Sequence, residues 1–453
     1  MNNCVGIRIA GWHRAAFLAT MLHFVIARTE ACPNLRIAMS LPHTSALTPD
    51  DGRVSSVLRS PKMLMRETLA GVITALALIP EVISFSVVAG VDPKVSLIAS
   101  VVLCLAMSFL GGRPAMVTAA AGSVALVIGP MVHLHGVQYI LPAVILAGLI
   151  QILFGVLGMA RLMRFIPQSV MTGFVNALGI LIFFAQVPHF WTKSPLIVGL
   201  FVLTLLIVLW APRVIKSVPS PLIAIVVLTL FTVTSGQILP TVGDEGSMSG
   251  GLPGLTQLLV PLNLHTLSII WPCALSIAFV GLMESLLTAK LVDELTLTPS
   301  SKRRESIGLG VANMMSGFYG GIAGCAMIGQ TIVNVEMGKG RSRISTLAAG
   351  VVLLILVTGL SEVMAQIPMA VLAGIMAIVA FKTFNWHSIQ PGTVKDAPIA
   401  ETLVMVVTVA ATVSTGNLAI GVLGGIIVMV IIPARLKRKH AATAGKSSPD
   451  QGK

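Results

Sequence analysis

The stretch Val-Gly-Leu-Met-Glu-Ser-Leu-Leu-Thr, residues 280–288, places the carboxylate of Glu284 in the middle of an apolar run that covers about 267–289. The stretch Leu-Ile-Pro-Glu-Val-Ile-Ser-Phe-Ser, residues 78–86, does the same with Glu81. An apolar run of this length predicts a membrane-spanning helix, and a charge at its centre costs at least ~2.5–3.5 kcal/mol on insertion scales. Such a carboxylate indicates a transport pathway, or else a protonated or paired group that only holds helices together.

The composition of the whole chain also indicates a membrane protein. Of 453 residues, 55% are hydrophobic and 10% are charged, whereas a soluble domain carries roughly 25% charged residues. The mean hydropathy is +0.93. These values exclude a water-soluble enzyme, a disordered chain and a disulfide scaffold. The five cysteines lack metal-ligand or redox spacing, so no metal or cofactor is expected.

The chain after Arg59 divides into fourteen apolar runs, which predict an all-α protein with fourteen transmembrane segments. They cover about 69–91, 95–110, 123–132, 137–160, 165–187, 195–211, 219–239, 267–289, 306–320, 328–338, 345–364, 368–381, 398–415 and 417–434.

The basic residues responsible for the net charge of +13 are distributed according to the topology of these spans. From Arg59 onward, 23 basic residues fall in the connections on one side, and only Lys94 and Lys193 fall on the other. The positive-inside rule then predicts that both termini lie in the cytoplasm and that the protein is a multi-pass protein of the cell (inner) membrane. The excess of basic over acidic residues therefore gives no reason to expect nucleic-acid binding.

The same pattern predicts the domain organisation. One membrane domain of two seven-span repeats is expected, with a dispensable or disordered extension before it and a short basic cytoplasmic tail after it. The boundaries are 1–58 for the extension, 59–239 for the first repeat, 240–266 for an extracellular or periplasmic loop, 267–434 for the second repeat and 435–453 for the tail.

A second feature of the membrane region also occurs twice. Small residues fill Gly-Gly-Arg-Pro-Ala-Met-Val-Thr-Ala-Ala-Ala-Gly-Ser at 111–123 and Gly-Gly-Ile-Ala-Gly-Cys-Ala-Met-Ile-Gly-Gln-Thr at 320–331, each about 40 residues after its glutamate. Broken half-helices at matching positions of two repeats indicate a transport site near the bilayer midplane, and their N-termini favour an anion. The alternative is close helix packing through small residues. Because each repeat has an odd number of spans, the second is inverted relative to the first.

Several motifs in this order resemble the sulfate permease (SulP-type) family of inorganic anion transporters over about 66–434. They are Ile-Pro-Glu-Val-Ile-Ser-Phe-Ser-Val-Val-Ala-Gly-Val-Asp-Pro (79–93), Gly-Arg-Pro-Ala-Met-Val-Thr-Ala-Ala-Ala-Gly (112–122), the loop 242–253, Gly-Leu-Met-Glu-Ser-Leu-Leu-Thr-Ala-Lys-Leu-Val-Asp-Glu-Leu-Thr (281–296), the segment 304–313 and Leu-Ala-Ile-Gly-Val-Leu-Gly-Gly (418–425).

The resemblance implies a seven-plus-seven inverted repeat with a core and a gate domain, two half-helices in spans 3 and 10, and a homodimer. It implies that a small anion binds between those half-helices. Carried over by position, the anion-binding residues are Ala121, Gly122, Ser123, Ile328, Gly329 and Gln330. The implied coupling or pathway residues are Glu284, Thr288 one helical turn later, and Glu81.

Three features depart from the family pattern. The chain ends about 20 residues after the last span, so a C-terminal STAS domain is not expected. Many members have arginine at the span-10 half-helix where this chain has Gln330, so backbone dipoles, or Arg113 and other distant basic residues, would have to offset the anion's charge. At the positions that in sodium-coupled members carry Asp and Thr, the chain has Glu284 and Ile328, which favours proton coupling or plain exchange.

The predicted function is therefore secondary active transport of a small inorganic anion, with sulfate favoured, by proton coupling or by exchange. Bicarbonate or dicarboxylate transport by the same family remains open, and so does a nucleobase–cation symporter of the same fold. The latter would need a second acidic residue at the span-10 half-helix, and residues 320–335 contain none. A channel or voltage-responsive motor would need no coupling carboxylate, and an enzyme is not expected because HExxH and GxSxG motifs are absent from the spans.

Overall fold

The structure is a computed structural model that describes residues 54–158, 168–191, 194–214, 218–246, 256–257, 259–261, 263–390, 399–429 and 431. The predicted extension 1–58 and loop 240–266 lie partly outside these residues, and the tail 435–453 lies wholly outside them.

Fourteen helices in the described residues match the fourteen predicted spans and are numbered accordingly. They are α1 (Pro61–Ala89), α2 (Pro93–Leu110), α3 (Gly122–His135), α4 (Ile140–Val156), α5 (Gln168–Phe190), α6 (Pro195–Val214), α7 (Ser220–Thr234), α8 (Leu264–Thr296), α9 (Lys302–Phe318), α10 (Ile328–Ile332, continued by the π-helical turn Val333–Met337), α11 (Arg343–Gly359), α12 (Met369–Thr383), α13 (Ile399–Thr415) and α14 (Leu418–Met429). Two strands, β1 (Thr118–Ala120) and β2 (Gly324–Ala326), precede α3 and α10.

The helices have the lengths and apolar composition of membrane spans. Six described helices are long and apolar enough to cross a bilayer, and six more are apolar helices of 10–17 residues. The remaining two are α9, whose first turn is polar, and the broken α10. All fourteen therefore belong to one polytopic membrane fold.

The ends of α1 show why its helix is longer than its apolar run. The helix begins at Pro61, several residues before the apolar run predicted over about 69–91. Proline is tolerated at this position because it lies in the first turn. The buried Glu67 then accepts hydrogen bonds from the backbone N–H groups of Arg341 at 2.9 Å and Ser342 at 3.0 Å. Tertiary hydrogen bonds therefore stabilise the polar part of α1. The helix ends at Gly90, whose φ of +70° favours glycine.

Helix packing confirms the inverted repeat, in which each helix corresponds to the one seven places later. The pair α4–α9 has its counterpart in α11–α2, and α1–α11 has its counterpart in α8–α4. The pair α5–α13 corresponds likewise to α12–α6. The two halves of the chain therefore interlock, and neither forms a separate bundle.

The same packing divides the helices into the two expected groups. The core group contains α1–α4 and α8–α11, in which α9 packs on α2 and α4 while α11 packs on α1 and α2. The gate group contains α5–α7 and α12–α14, in which α12 packs on α5 and α6. A Cβ added at Gly425 of α14 would lie 3.3 Å from Val170 of α5, so α14 also packs in the gate group.

In the core group, β1 and β2 form an antiparallel two-stranded crossing. Thr118 pairs with Ala326, Ala119 with Cys325 and Ala120 with Gly324. Every residue of both strands is buried. The crossing satisfies backbone groups that would otherwise be unpaired inside the membrane, which permits non-helical chain at this depth.

Candidate functional site

The crossing brings the N-termini of the two half-helices to the centre of the core group. α3 begins directly after Ala121 and α10 directly after Met327, and neither of these N-cap side chains can accept a hydrogen bond from the helix. In α3 the bond from Val124 N–H to Ala121 O, 3.1 Å, is the first to involve a donor of the helix. The preceding N–H groups and the helix dipoles are thus available to an anion at the crossing, as the sequence predicts.

Glu284 of α8 lies against this crossing and is 8% exposed. One carboxylate oxygen, Oε2, accepts a hydrogen bond from the hydroxyl of Ser123 and one from the thiol of Cys325, with an S···O distance of 3.2 Å. Among the described residues Glu284 forms no ion pair, so hydrogen bonds alone offset its charge. The structure therefore brings together two predicted site residues, Glu284 and Ser123, from opposite halves of the chain.

Thr288 follows Glu284 by one turn, as predicted, but its hydroxyl is engaged by backbone. It lies 2.9 Å from the carbonyl oxygen of Glu284 and 2.8 Å from that of Ala326. The neighbouring Ser285 accepts a hydrogen bond from the N–H of Ala326 at 2.9 Å. These two side chains attach β2 to α8, so the contact of Thr288 with the crossing is through the backbone of β2.

Glu81 and Gln330 form a second pair of predicted site residues. The Gln330 side chain lies within interaction range of the half-buried Glu81 carboxylate, which follows Pro80 in α1. Lys382, at the C-terminus of α12, lies within electrostatic range of this carboxylate. Gln330 is buried, and its Oε1 atom has no hydrogen-bond partner among the described residues. This pair therefore lies where the core group meets the gate group.

The two predicted glycines have different surroundings. A Cβ added at Gly122 would lie 2.5 Å from Cε1 of Phe85, because the ring of that α1 residue covers the start of α3. A Cβ added at Gly329 would meet no described atom within 4 Å, and Gly329 is exposed. Ala121 is buried and Ile328 is half-buried. The open side of the site therefore lies at the first turn of α10.

Arg113 does not reach this site, in contrast to its suggested role in meeting the anion's charge. Its guanidinium forms an ion pair with Asp293 at 3.0 Å and donates to the carbonyl oxygen of Thr298 at 2.7 Å and to the hydroxyl of Thr296. It lies at the C-terminal end of α8, more than two turns beyond Glu284. Burial lowers the pKa of this guanidinium from its ordinary value, and Asp293 opposes that effect. Arg113 therefore joins the segment between α2 and β1 to the C-terminal end of α8.

Sequence reasoning did not identify three residues that shape the site. Cys325 donates to Glu284, Phe85 covers Gly122, and Asn313 of α9 fixes β2. The Asn313 side chain bonds both the N–H of Gly324, at 2.8 Å, and its carbonyl oxygen, at 3.2 Å. A polar residue amid the small residues of α9 is a signal that could have indicated Asn313. The described residues contain no group of three His, Cys, Asp or Glu side chains able to hold a metal ion.

Comparison with known proteins agrees with this architecture. The model of the sulfate permease family matches residues 64–194 and 188–408. “Putative sulfate transporter YbaR” of Bacillus subtilis is 48% identical over 372 residues, which cover 81% of this chain and 76% of YbaR.

Two solved structures share the fold. The transmembrane domain of a cyanobacterial bicarbonate transporter, BicA, superposes with a TM-score of 0.71 at 25% identity and covers 80% of this chain and 97% of that domain. SLC26A9 superposes with a TM-score of 0.71 at 17% identity and covers 83% of this chain and 67% of SLC26A9. The family match over most of the chain, together with the half-helix crossing, shows that this protein belongs to the sulfate permease family of membrane anion transporters.

Proposed function

We propose that this protein is a secondary active sulfate transporter in which sulfate binds between the first turns of α3 and α10. The observation that carries this proposal is the pair of helix N-termini at the β1–β2 crossing, neither of which has a side-chain cap. The name of YbaR, at 48% identity, supports sulfate as the anion.

The anion site would consist mainly of backbone N–H groups. Ala121, Gly122 and Ser123 contribute the first turn of α3, and Ile328, Gly329 and Gln330 contribute that of α10. Small residues let a ligand approach the backbone closely, and the open space around Gly329 gives that approach. A dianion with several acceptor oxygens can accept from both turns at once, with the two dipoles supplying positive potential.

Glu284 would couple transport to protons. An ionised carboxylate at the crossing repels a dianion, whereas a protonated one does not. A proton taken up by Glu284 on one side of the membrane would therefore accompany sulfate and be released on the other. Ser123 donates a hydrogen bond to Glu284 and lies in the first turn of α3, so protonation of the carboxyl would directly alter a contact of the anion-binding turn.

Glu81 would lie on the transport pathway and have a weaker role. Its partner Gln330 belongs to the proposed anion site, and Lys382 of the gate group lies within electrostatic range. Relative movement of the two helix groups would therefore alter the potential around Glu81 each time the site changed sides.

Bicarbonate is the second candidate substrate, because the similar BicA domain belongs to a protein named for bicarbonate transport. We further propose that the protein lies in the cell membrane as a homodimer with both termini in the cytoplasm. The asymmetry of basic residues between the two sides supports this orientation.

The test is uptake of labelled sulfate and labelled bicarbonate into proteoliposomes of the purified protein under imposed pH or sodium gradients. We expect saturable sulfate uptake that increases when the lumen is more alkaline than the outside. Uptake of bicarbonate but not of sulfate would favour bicarbonate, the second candidate substrate. Uptake driven by sodium alone would exclude Glu284 as a proton carrier, and non-saturating flux would indicate a channel.

A further inference from the structure

A groove of about 390 Å³ lies where the C-terminus of α2 meets the N-terminus of α9. Ser301, Arg303 and Arg304 line it at the start of α9, Ile307 and Val311 line it one to two turns further along that helix, and Leu110 lines it from the end of α2. Its volume is within the range typical of ligand sites. One groove thus combines a basic end with an apolar floor.

The apolar floor continues along the outer surface of α9. Residues four apart share a helix face, and this face carries Ile307, Val311 and Met315, followed by Phe318. Met315 is 42% exposed and Phe318 is 45% exposed. On the other side of the groove, Phe109 of α2 is 65% exposed. An exposed apolar path therefore leads from the basic end toward the middle of the bilayer.

The positive charge at the basic end is held in place, and one buried carboxylate, that of Glu305, lies within electrostatic range of Arg304. Arg304 donates to the carbonyl oxygens of Phe109 at 2.7 Å and Leu110 at 3.1 Å, which uses two of its five N–H groups. Arg303 is exposed, and no hydrogen bond or ion pair of the described residues involves it.

The nearest carboxylates have other partners. Glu305 accepts from the backbone N–H groups of Gly112 at 2.7 Å and Arg113 at 3.3 Å. Asp293 pairs with Arg113 and with Lys302 at 3.5 Å. Arg303, which has no such partner among the described residues, is therefore available to an external anion, together with the remaining N–H groups of Arg304.

We propose that this groove binds one anionic phospholipid, with its phosphate at Arg303 and Arg304 and an acyl chain along Ile307, Val311 and Met315. Basic pockets at helix ends bind anionic headgroups, and the phosphate of a lipid lies at this depth of the membrane. A soluble anion would use the arginines but not the apolar path. The occupant is therefore a lipid rather than free phosphate or sulfate.

The test is thermal unfolding of the purified full chain in detergent during titration with phosphatidylglycerol. We expect phosphatidylglycerol to raise Tm saturably and phosphatidylcholine to have little effect. Arg303→Gln should weaken the apparent lipid affinity about fivefold, since one basic residue contributes about 1 kcal/mol to binding an anionic lipid. The matched control is Arg213→Gln, because Arg213 is also an exposed arginine at a helix end, the C-terminus of α6, but lies outside the groove, and it should respond as wild type does.

A second variant tests the apolar part of the site. Val311→Trp places a large ring on the floor and should reduce the phosphatidylglycerol response while both arginines remain. The proposal is overturned if Arg303→Gln and Arg213→Gln respond alike, or if phosphatidylcholine stabilises as strongly as phosphatidylglycerol. It is also overturned if glycerol phosphate alone reproduces the stabilisation, because the site would then be one for soluble anions.

Discussion

The hydroxyl of Ser123 donates a hydrogen bond to the carboxylate of Glu284, and this bond joins the half-helix of the first repeat to α8 of the second. Cys325 donates to the same oxygen from β2. One carboxylate is therefore hydrogen-bonded both to the first turn of α3 and to β2, the strand that precedes α10.

Replacing Glu284 by glutamine should separate anion binding from proton coupling. Glutamine keeps the volume and removes the charge that repels the anion, while the helix N-termini remain, so sulfate should still bind. Uptake should lose its response to an imposed pH gradient, because the site can no longer release a proton. The measurements are uptake against pH gradient and equilibrium sulfate binding, and Glu81→Gln should retain most of the response. An unchanged gradient response in Glu284→Gln would leave this carboxylate only a structural role.

Removing the Ser123 hydroxyl should destabilise the protein. Ser123→Ala leaves a buried acceptor with one donor fewer, which costs about 1–3 kcal/mol. Ser123→Thr keeps the hydroxyl and is the matched control. The two variants are compared by thermal unfolding, in the wild-type and the Glu284→Gln backgrounds. A loss of equal size in Ser123→Ala and Ser123→Thr would mean that side-chain volume, rather than the hydrogen bond, is responsible.

The two half-helix glycines should respond differently to substitution. Gly122→Ala brings a methyl group against the ring of Phe85, so its Tm should fall and Phe85→Leu should restore part of the loss. Gly329→Ala meets no described atom and should keep its Tm, whereas Gly329→Leu should weaken sulfate binding by occupying the open space. Tm and sulfate affinity are measured for all variants. Normal sulfate affinity in Gly329→Leu would show that the anion does not approach this turn.

Arg113 should prove to be a structural residue. Arg113→Met removes the shorter of the two ion pairs of Asp293, at 3.0 Å, and leaves that with Lys302 at 3.5 Å, so it should cost about 1–3 kcal/mol of stability. The double variant Arg113→Met with Asp293→Leu should recover part of that loss. Sulfate affinity in the folded fraction should match wild type. A selective loss of sulfate affinity at unchanged Tm would return Arg113 to the anion site.

The sequence alone was sufficient to predict the spans and the repeated half-helices, because each depends on local patterns. Glu284 and Glu81 stand out in apolar runs, and the small residues before Ser123 and Gln330 repeat at matching positions. The order of the motifs then indicated the family, which the comparisons confirmed.

The contacts within the site could not be predicted in this way. They depend on the β1–β2 register, which pairs Ala119 with Cys325 and so brings that thiol to Glu284. The helical spacing of Thr288 was predicted correctly, but its contact with the carbonyl oxygen of Ala326 depends on the same long-range pairing. The ion pair of Arg113 could not be predicted either, because its partner Asp293 lies 180 positions later in the chain and is reached only through the tertiary fold.

The β1–β2 crossing also constrains how the protein is made. Ser123 and Cys325 are 202 residues apart in the chain, and β1 has no strand partner until β2 has been synthesised. At translation rates of about 5–20 residues per second, this leaves an interval of about 10–40 s. Throughout that interval the described hydrogen bonds available to the backbone of β1 are those from α2, where the Ser100 hydroxyl accepts from Ala120 N–H at 3.1 Å and the Cys104 thiol donates to Thr118 O. The β1–β2 crossing, which positions both half-helices, is therefore completed only after residues 324–326 have been synthesised.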